Sequence, residues 1–296
     1  MKSFKSGFIS ILGKPNVGKS TLLNRILGEK IAIISDRPQT TRSRILGITN
    51  LENAQLVFYD TPGIHRPRSR LHDSMVHKAI QTGKDADIIL LMTEGQRPQI
   101  EADKAILKSL RPTPAPIFLI INKIDLVKKA TILSIIDTYR DLHPFQEIVP
   151  LSALQGDGVD VLLETIQKHL PEGPQYFPED MTTDQSERFL AAEMIREKIF
   201  QHTHQEIPYS VGVTIESFKD DPKKKLLSIS AVIFVEKKSQ KAILIGKSGR
   251  MLKKIGSQAR REMELFFRTH VFLQLWVKVV KDWIDNPKLL DEMGYG

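Results

Sequence analysis

Near the start of the chain, Gly13-Lys14-Pro15-Asn16-Val17-Gly18-Lys19-Ser20-Thr21 lies between the apolar run "GFISIL" and the amphipathic stretch "STLLNRILG". Glycines five residues apart let a backbone turn tightly and aim successive N–H groups at phosphate oxygens. Lys19 would reach the terminal phosphates as a point charge, and the Ser20 hydroxyl is a hard oxygen ligand suited to Mg²⁺. The helix that begins there adds a favourable partial charge for an anion. The pattern is that of a cradle for a nucleotide's polyphosphate.

The loop does not distinguish ATP from GTP, but later stretches do. Asp60-Thr61-Pro62-Gly63-Ile64 follows the apolar run "QLVFYD". An acid at a strand end can hold Mg²⁺ through water, and a glycine N–H can approach a γ-phosphate closely. Asn122-Lys123-Ile124-Asp125 follows "PIFLII". The Asp125 carboxylate can accept hydrogen bonds from guanine N1–H and its exocyclic amine, a donor pair adenine lacks. A site built to make those bonds rejects the wrong base strongly, because its polar groups are then left unpaired.

These stretches, with the threonine pair of "DRPQTTRSR" and the later Ser152-Ala153-Leu154, resemble the translation-factor class of small GTPases in order and type. The resemblance implies that Asn122 and Asp125 read guanine, that Lys123 lies along base and loop, and that Ser152, Ala153 and Leu154 close over the base. It implies metal ligation by Ser20 and Asp60 together with Thr41, or Thr40 as the alternative. It also implies catalysis through Lys19, Thr41 and Gly63. One departure matters: Ile64 stands where signalling GTPases carry the glutamine that orients the attacking water. That substitution marks a branch in which an asparagine at position 16 helps hold K⁺; the ordinary alternative is that Asn16 only shapes the loop.

The elements that must position these residues alternate along the first part of the chain. "FISIL", "QLVFYD", "DIILLM" and "PIFLIIN" are short apolar runs separated by amphipathic stretches. The pattern predicts an α/β domain with a mainly parallel sheet over residues 1–170. "LPEGPQYFPED" combines proline, glycine and acid without an apolar period, which predicts a linker over 171–183. From 184 to 296 the pattern changes. "TDQSERFLAAEMIREKIFQHT" reads as an amphipathic helix capped at Thr183 or Asp184, followed by two alternating strands around "KDDPKKK", a long helix and a third strand, "HVFLQLWVKVV".

Between Lys237 and Arg261 every charged residue is Lys or Arg, and this tract contains Gly246-Lys247-Ser248-Gly249. Leu252, Ile255, Ala259 and Met263 fall at helical spacing and face the core, leaving Lys253 and Lys254 outside. The tract resembles an α+β KH domain of the second topological type. The resemblance implies that the G-x-x-G clamps single-stranded RNA, with Lys253 and Lys254 beside it and Ile243 and Ile245 in the groove. Trp276 and Trp283 could stack bases, but the apolar strand around Trp276 suggests packing, and neither is assigned to RNA. The two domains in series resemble a family of bacterial ribosome-assembly GTPases, which implies GTP and GDP, small-subunit ribosomal RNA and the 30S subunit as partners, in the cytoplasm with peripheral contact at the inner membrane. With no long heptad seam, the chain is read as a monomer.

Composition sets outer bounds. With 296 residues and 41% hydrophobic content the chain can bury two cores. It has no cysteine, so disulfides and thiolate metal sites are excluded, and a net charge of +8 favours a polyanionic partner. The apolar N-terminal run leads straight into the phosphate loop and is read as a first strand, not a cleaved leader. Two other functions fit the same features: an RNA chaperone whose nucleotide domain is structural, and a GTPase whose basic patch reads anionic lipid.

Overall fold

The computed structural model describes residues 3–35, 41–64, 70–286, 289–290 and 293, with backbone alone at 70–75, 78 and 285. The chain divides into two compact units, Met1–Ala32 with Thr41–Asp184, and Ile33–Thr40 with Gln185–Gly296.

The first unit runs β1 (Lys5–Gly13), α1 (Lys19–Leu27), β2 (Ile45–Leu51), β3 (Ala54–Asp60), α2 (Arg70–Lys84), β4 (Ile88–Glu94), α3 (Ile100–Leu110), β5 (Ile117–Asn122), α4 (Lys129–Arg140), β6 (Glu147–Pro150) and α5 (Val159–His169). Its sheet has the order β2-β3-β1-β4-β5-β6, parallel except for β2 at one edge. The central strands are buried at nearly every position, as the continuous apolar runs require of strands covered on both faces. Register aligns Ile11 with Asp60, Gly13 with Met92, and Glu94 with Asn122. The C-terminal strand ends thus gather the chemistry-bearing residues at one edge, where parallel sheets place their ligands.

The segment expected as a linker instead adheres to this unit. Ser6 Oγ donates to the Pro174 carbonyl at 2.6 Å, and Ile48 N to the Thr182 carbonyl at 2.8 Å. Phe177 and Met181 pack against Leu46, Ile48 and Val57. Prolines suit an extended strap that offers carbonyls and needs few donors, so composition alone mistook it for a loose connection. Gln55, fully buried in β3, is its main anchor: Oε1 accepts from Tyr176 N and Phe177 N at 2.8 and 2.9 Å, and Nε2 donates to the Phe177 carbonyl at 2.8 Å.

The second unit runs α6 (Glu187–His202), β7 (Gly212–Asp221), β8 (Leu226–Val235), α7 (Lys238–Ile245), α8 (Arg250–Phe267) and β9 (His270–Val279). The sheet order is β7-β8-β9, with β8 and β9 parallel and β7 antiparallel. One apolar core joins Ile195 and Ile199 of α6, Ile229 and Ile233 of β8, and Ile255 and Met263 of α8. Ala259 is buried with them, while Leu252 is only partly covered. Two expectations for α6 are corrected. The cap is Ser186, whose Oγ accepts from Phe189 N at 3.2 Å, not Thr183 or Asp184. The helix is also buried all round rather than amphipathic, which its charges permit because they are paired. Arg196 donates twice to Glu193, and Lys198 pairs with Glu262.

Replacing Gln55 by Ala removes four hydrogen bonds, counting the one Nε2 donates to Asn50, and leaves two strap amides without an acceptor. We expect unfolding free energy to fall by about 2–4 kcal/mol. Amide exchange at Tyr176 and Phe177 should quicken first; unchanged exchange there would mean the strap is held elsewhere.

Candidate functional site

The turn after β1 and the start of α1 enclose a small polar chamber. Gly13 (φ 149°) and Gly18 (φ 104°) take backbone conformations that favour glycine, and each is also sterically confined. A Cβ on Gly13 would lie 2.4 Å from the Met92 carbonyl oxygen, and one on Gly18 would lie 2.2 Å from Asn122 Nδ2. Lys14, Pro15 and Val17 complete the loop, and Asn16 holds a positive φ of 66°. Lys19 is buried, and its Nζ donates to the carbonyls of Lys14 at 2.9 Å and Gly13 at 3.3 Å. Burial lowers its pKa to about 8 despite the opposing charge of Asp60. Burial likewise raises Asp60, against the pull of Lys19 and of hydrogen bonds from Ser20 and Thr41.

Three hard oxygens converge beside this lysine. Ser20 Oγ donates to Asp60 Oδ2 at 2.5 Å, Ser20 Oγ and Thr41 Oγ1 lie 2.9 Å apart, and Thr41 Oγ1 donates to Asp60 Oδ2 at 3.3 Å. Asp60 Oδ1 is buried without a protein partner. Thr41 is therefore the threonine that the structure places here; Thr40 lies outside the described residues. Thr21 follows on α1. Thr61 is a structural anchor, donating to the Ile11 carbonyl at 2.8 Å. Pro62 and Gly63 are buried, and a Cβ on Gly63 would sit 2.6 Å from Pro15 N. Ile64 donates its N–H to the Gly13 carbonyl at 3.0 Å, and its side chain packs on the core around Leu12, so it has no part to play in orienting water.

The base-reading stretch is tied to the loop through Asn122. Its Nδ2 donates to the Val17 carbonyl at 2.7 Å, and its Oδ1 accepts from Ala153 N at 2.9 Å. One amide hydrogen of Nδ2 is then left for a ligand. Lys123 (φ 63°) donates to the Asn16 carbonyl at 2.8 Å. Ile124 and the exposed Asp125 open a short 3₁₀ turn. Ser152 is buried, its Oγ accepting from Gln155 N at 3.2 Å, whereas Leu154 is exposed.

Two contributors were not foreseen. Glu94 lies 2.5 Å from Lys123 Nζ, and Arg25 of α1 donates to the carbonyls of Ala153 and Leu154. Glu94 ends a strand in no motif, and Arg25 reaches a loop 128 residues away, so neither carries a local signal.

In the second unit, Gly246-Lys247-Ser248-Gly249 joins α7 to α8. Gly246, Ser248 and Gly249 have φ of 71°, 51° and 76°. Gly246 is also crowded, since a Cβ would lie 2.7 Å from Met251 Cβ, whereas Gly249 faces open space and is needed for its backbone alone. Lys247, Ser248, Lys253 and Lys254 are exposed, and Ile243 more than Ile245. Further along α8, Leu252, Lys253, Gly256 and Arg260 face Val271–Leu273 and Leu275 of β9 across a groove of about 420 Å³. Trp283 is fully buried, as expected of a packing residue, but Trp276 is 60% exposed and the packing reading of it is wrong.

Residues 8–123 match a family model described as a 50S ribosome-binding GTPase, and residues 206–284 match one described as a KH domain. The chain is 57% identical over 292 residues to GTPase Era of Syntrophus aciditrophicus (strain SB), covering 99% of this chain and 95% of the relative. It is 56% identical over 294 residues to GTPase Era of Geotalea uraniireducens (strain Rf4), covering 99% of each. A crystal structure of Era in complex with MgGDPNP and nucleotides 1506-1542 of 16S ribosomal RNA is 45% identical, with a TM-score of 0.94 and 99% of each chain covered. A variant of Aquifex aeolicus Era bound to GDP.AlF4- is 44% identical with the same TM-score, covering 99% of this chain and 100% of that one.

The lowered pKa of Lys19 has a testable sign. Phosphate meets the protonated lysine and draws its pKa back up, so above pH 8 binding must take up a proton. GDP affinity should fall as pH rises from 7 to 9, approaching about tenfold per unit at the upper end. Calorimetry at pH 9 in buffers of different ionisation enthalpy should read nearly one proton taken up; an affinity flat across this range would show that Lys19 is already charged.

Proposed function

The chain belongs to the Era family of GTPases, and on that premise we propose that it is a GTP-hydrolysing switch that binds small-subunit ribosomal RNA near its 3′ end during assembly of the 30S subunit. The observation that supports it most is the joining of two built features on one chain. One is the chamber of Lys19, Ser20, Thr41 and Asp60, bolted to a guanine-selective stretch by Asn122; the other is an exposed glycine turn opening a basic helix.

Guanine is chosen by Asp125, whose exposed carboxylate can accept from the two donors adenine lacks. Ser152, Ala153 and Leu154 close the loop over the base, held by Asn122 and Arg25. The backbone N–H groups of Asn16 to Thr21 and the Lys19 ammonium receive the phosphates. The donor set fits Mg²⁺: three oxygen-bearing side chains converge, and a buried carboxylate oxygen lacks a protein partner. Ser20, Thr41 and Asp60 would hold the ion, which when bound supplies positive charge against the phosphate oxygens. Gly63 offers its backbone N–H to the γ-phosphate, and Lys19 stabilises charge as the bond to it breaks. Loss of the γ-phosphate releases Thr41 and Gly63, the two points where the chain senses it.

With Ile64 unable to orient water, further charge stabilisation has to come from elsewhere. We assign it to K⁺ held with the help of Asn16, whose positive φ and Lys123-bound carbonyl fix it at the mouth of the loop. Hydrolysis should be severalfold faster in potassium than in sodium at matched ionic strength, and Asn16→Ala should erase the difference. Equal rates for the unaltered protein in both salts would remove this part of the reading.

The client is tested by crosslinking the protein to RNA in cells and sequencing the attached fragments. Fragments should gather near the 3′ end of the small-subunit ribosomal RNA and disappear in a Lys247→Asp/Ser248→Asp variant. Fragments scattered over other RNAs would leave the GTPase chemistry standing and discard the client.

A further inference from the structure

The helices of the second unit cover one face of its sheet, and the opposite face carries an arrangement that the glycine turn and its groove do not use. On β9, Val271, Leu273, Leu275 and Val277 point to the core, so Phe272, Gln274 and Trp276 point away from it. Phe272 is 52% exposed and Trp276 60%. Register extends the face across the sheet in three rungs: Lys219–Ser228–Phe272, Ser217–Ser230–Gln274 and Thr214–Val232–Trp276. The next rung, Gly212–Phe234–Lys278, is closed over at Gly212, where an added Cβ would meet Met293 Sδ at 2.6 Å and Trp283 Cη2 at 2.9 Å. The chain covers its aromatic surface at that end and leaves two rings open beside it.

We infer that this open face is a second contact surface for single-stranded RNA, with Phe272 and Trp276 as base-stacking platforms. The inference rests on the RNA-binding reading of the glycine turn. Exposed aromatic rings with hydroxyl, amide and cationic neighbours on one sheet face suit splayed bases, which stack on the rings while Lys219 and Lys278 meet phosphates. The polar rungs disfavour an extensive apolar protein interface, whose core would be depleted of charge. Cations border the Phe272 end as well: Lys223, Lys224, Lys225, Arg268 and His270 are exposed there, and the neighbouring Asp221 lies 3.6 Å from Lys224. Glu216 and Asp220 are exposed on β7, the far edge from the two rings.

The face is continuous with the groove already described, because Phe272 lines that groove and also stands on the open side. A KH turn clamps about four nucleotides. A longer strand leaving the α8–β9 groove therefore meets β9 first and can cross onto its outer face. The two rings are about 13 Å apart along the strand, several times the ~3.4 Å between stacked bases, so each takes its own base from an extended strand.

The two tryptophans make the test direct. Trp283 is fully buried and Trp276 exposed, so quenching by RNA reports on Trp276. The full chain is titrated with a tetranucleotide and with a dodecanucleotide of the 3′-terminal ribosomal sequence. The dodecanucleotide alone should quench. With affinity read from the fluorescence anisotropy of end-labelled oligonucleotides, Phe272→Ala/Trp276→Ala should weaken dodecanucleotide binding about tenfold or more and leave tetranucleotide binding unchanged. Trp276→Phe, which keeps a ring, should restore most of the affinity. Unchanged dodecanucleotide binding by the double variant overturns the inference and leaves the glycine-turn reading intact. So does quenching that grows with protein concentration in the absence of RNA, which would assign the face to a second copy. If Lys247→Asp/Ser248→Asp weakens neither oligonucleotide, the RNA reading itself fails and this inference falls with it.

Discussion

The nucleotide end of the first unit depends on one buried side chain. Asn122, at the tip of β5, donates to the phosphate loop at Val17 and accepts from the base-closing loop at Ala153. Each loop has further bonds of its own, and Asn122 is the side chain that ties one directly to the other. Because both bonds are buried, breaking either leaves an unpaired polar group, so the two loops keep one spacing. The same side chain explains Gly18: a methyl group there would collide with Nδ2 at 2.2 Å. Asn122 and Gly18 are thus a single steric decision. Around it Arg25 and Glu94 secure the outer ends, one holding the carbonyls of Ala153 and Leu154, the other fixing Lys123 against the Asn16 carbonyl.

The chamber beside Asn122 concentrates buried charge. Lys19 and Asp60 are both buried, and burial shifts each toward its neutral form. Their mutual attraction opposes that shift without cancelling it. Ser20 and Thr41 crowd onto one oxygen of Asp60 while the other has no partner. A phosphate favours the charged lysine and a cation the charged carboxylate, so a ligand carrying both gains from both sides. The free energy so released is available to order Thr41 and Gly63, which is what a switch requires.

The reactive residues were legible because each must be one type at one spacing: a lysine and a hydroxyl after a glycine, an acid at a strand end, an amide and an acid three apart. The four central strands were legible for a related reason, since burial on both faces leaves an unbroken apolar run. Where position depended on distant partners the sequence misled. The strap over 171–183 has a linker's composition, yet Gln55, Phe177 and Met181 pin it down. Helix α6 carries a surface helix's charges, yet Glu193, Arg196 and Lys198 are paired inside. Trp276 sits in an apolar strand, but alternation put it on the side that nothing covers, which no count of neighbouring valines and leucines could decide.

The two units solve the same problem with the same backbone device. Helices α1 and α8 both begin at a left-handed glycine, Gly18 and Gly249, with no side chain capping the first turn and no acid within it. No side chain occupies their leading N–H groups, although the Arg250 N–H at the start of α8 donates to the Lys247 carbonyl, and the helix end is positive. Helix α5 also begins at a left-handed glycine but carries Asp160 in its first turn, which would repel an anion. What differs between α1 and α8 is the setting. Around α1 the chamber is buried and its lysine pulled toward the neutral form, so it demands a ligand of one size and charge. Around α8 the turn is exposed and flanked by fully solvated lysines, so it can accept any backbone phosphate and leaves selectivity to the bases. Burial, rather than the motif itself, separates a nucleotide pocket from a polynucleotide clamp.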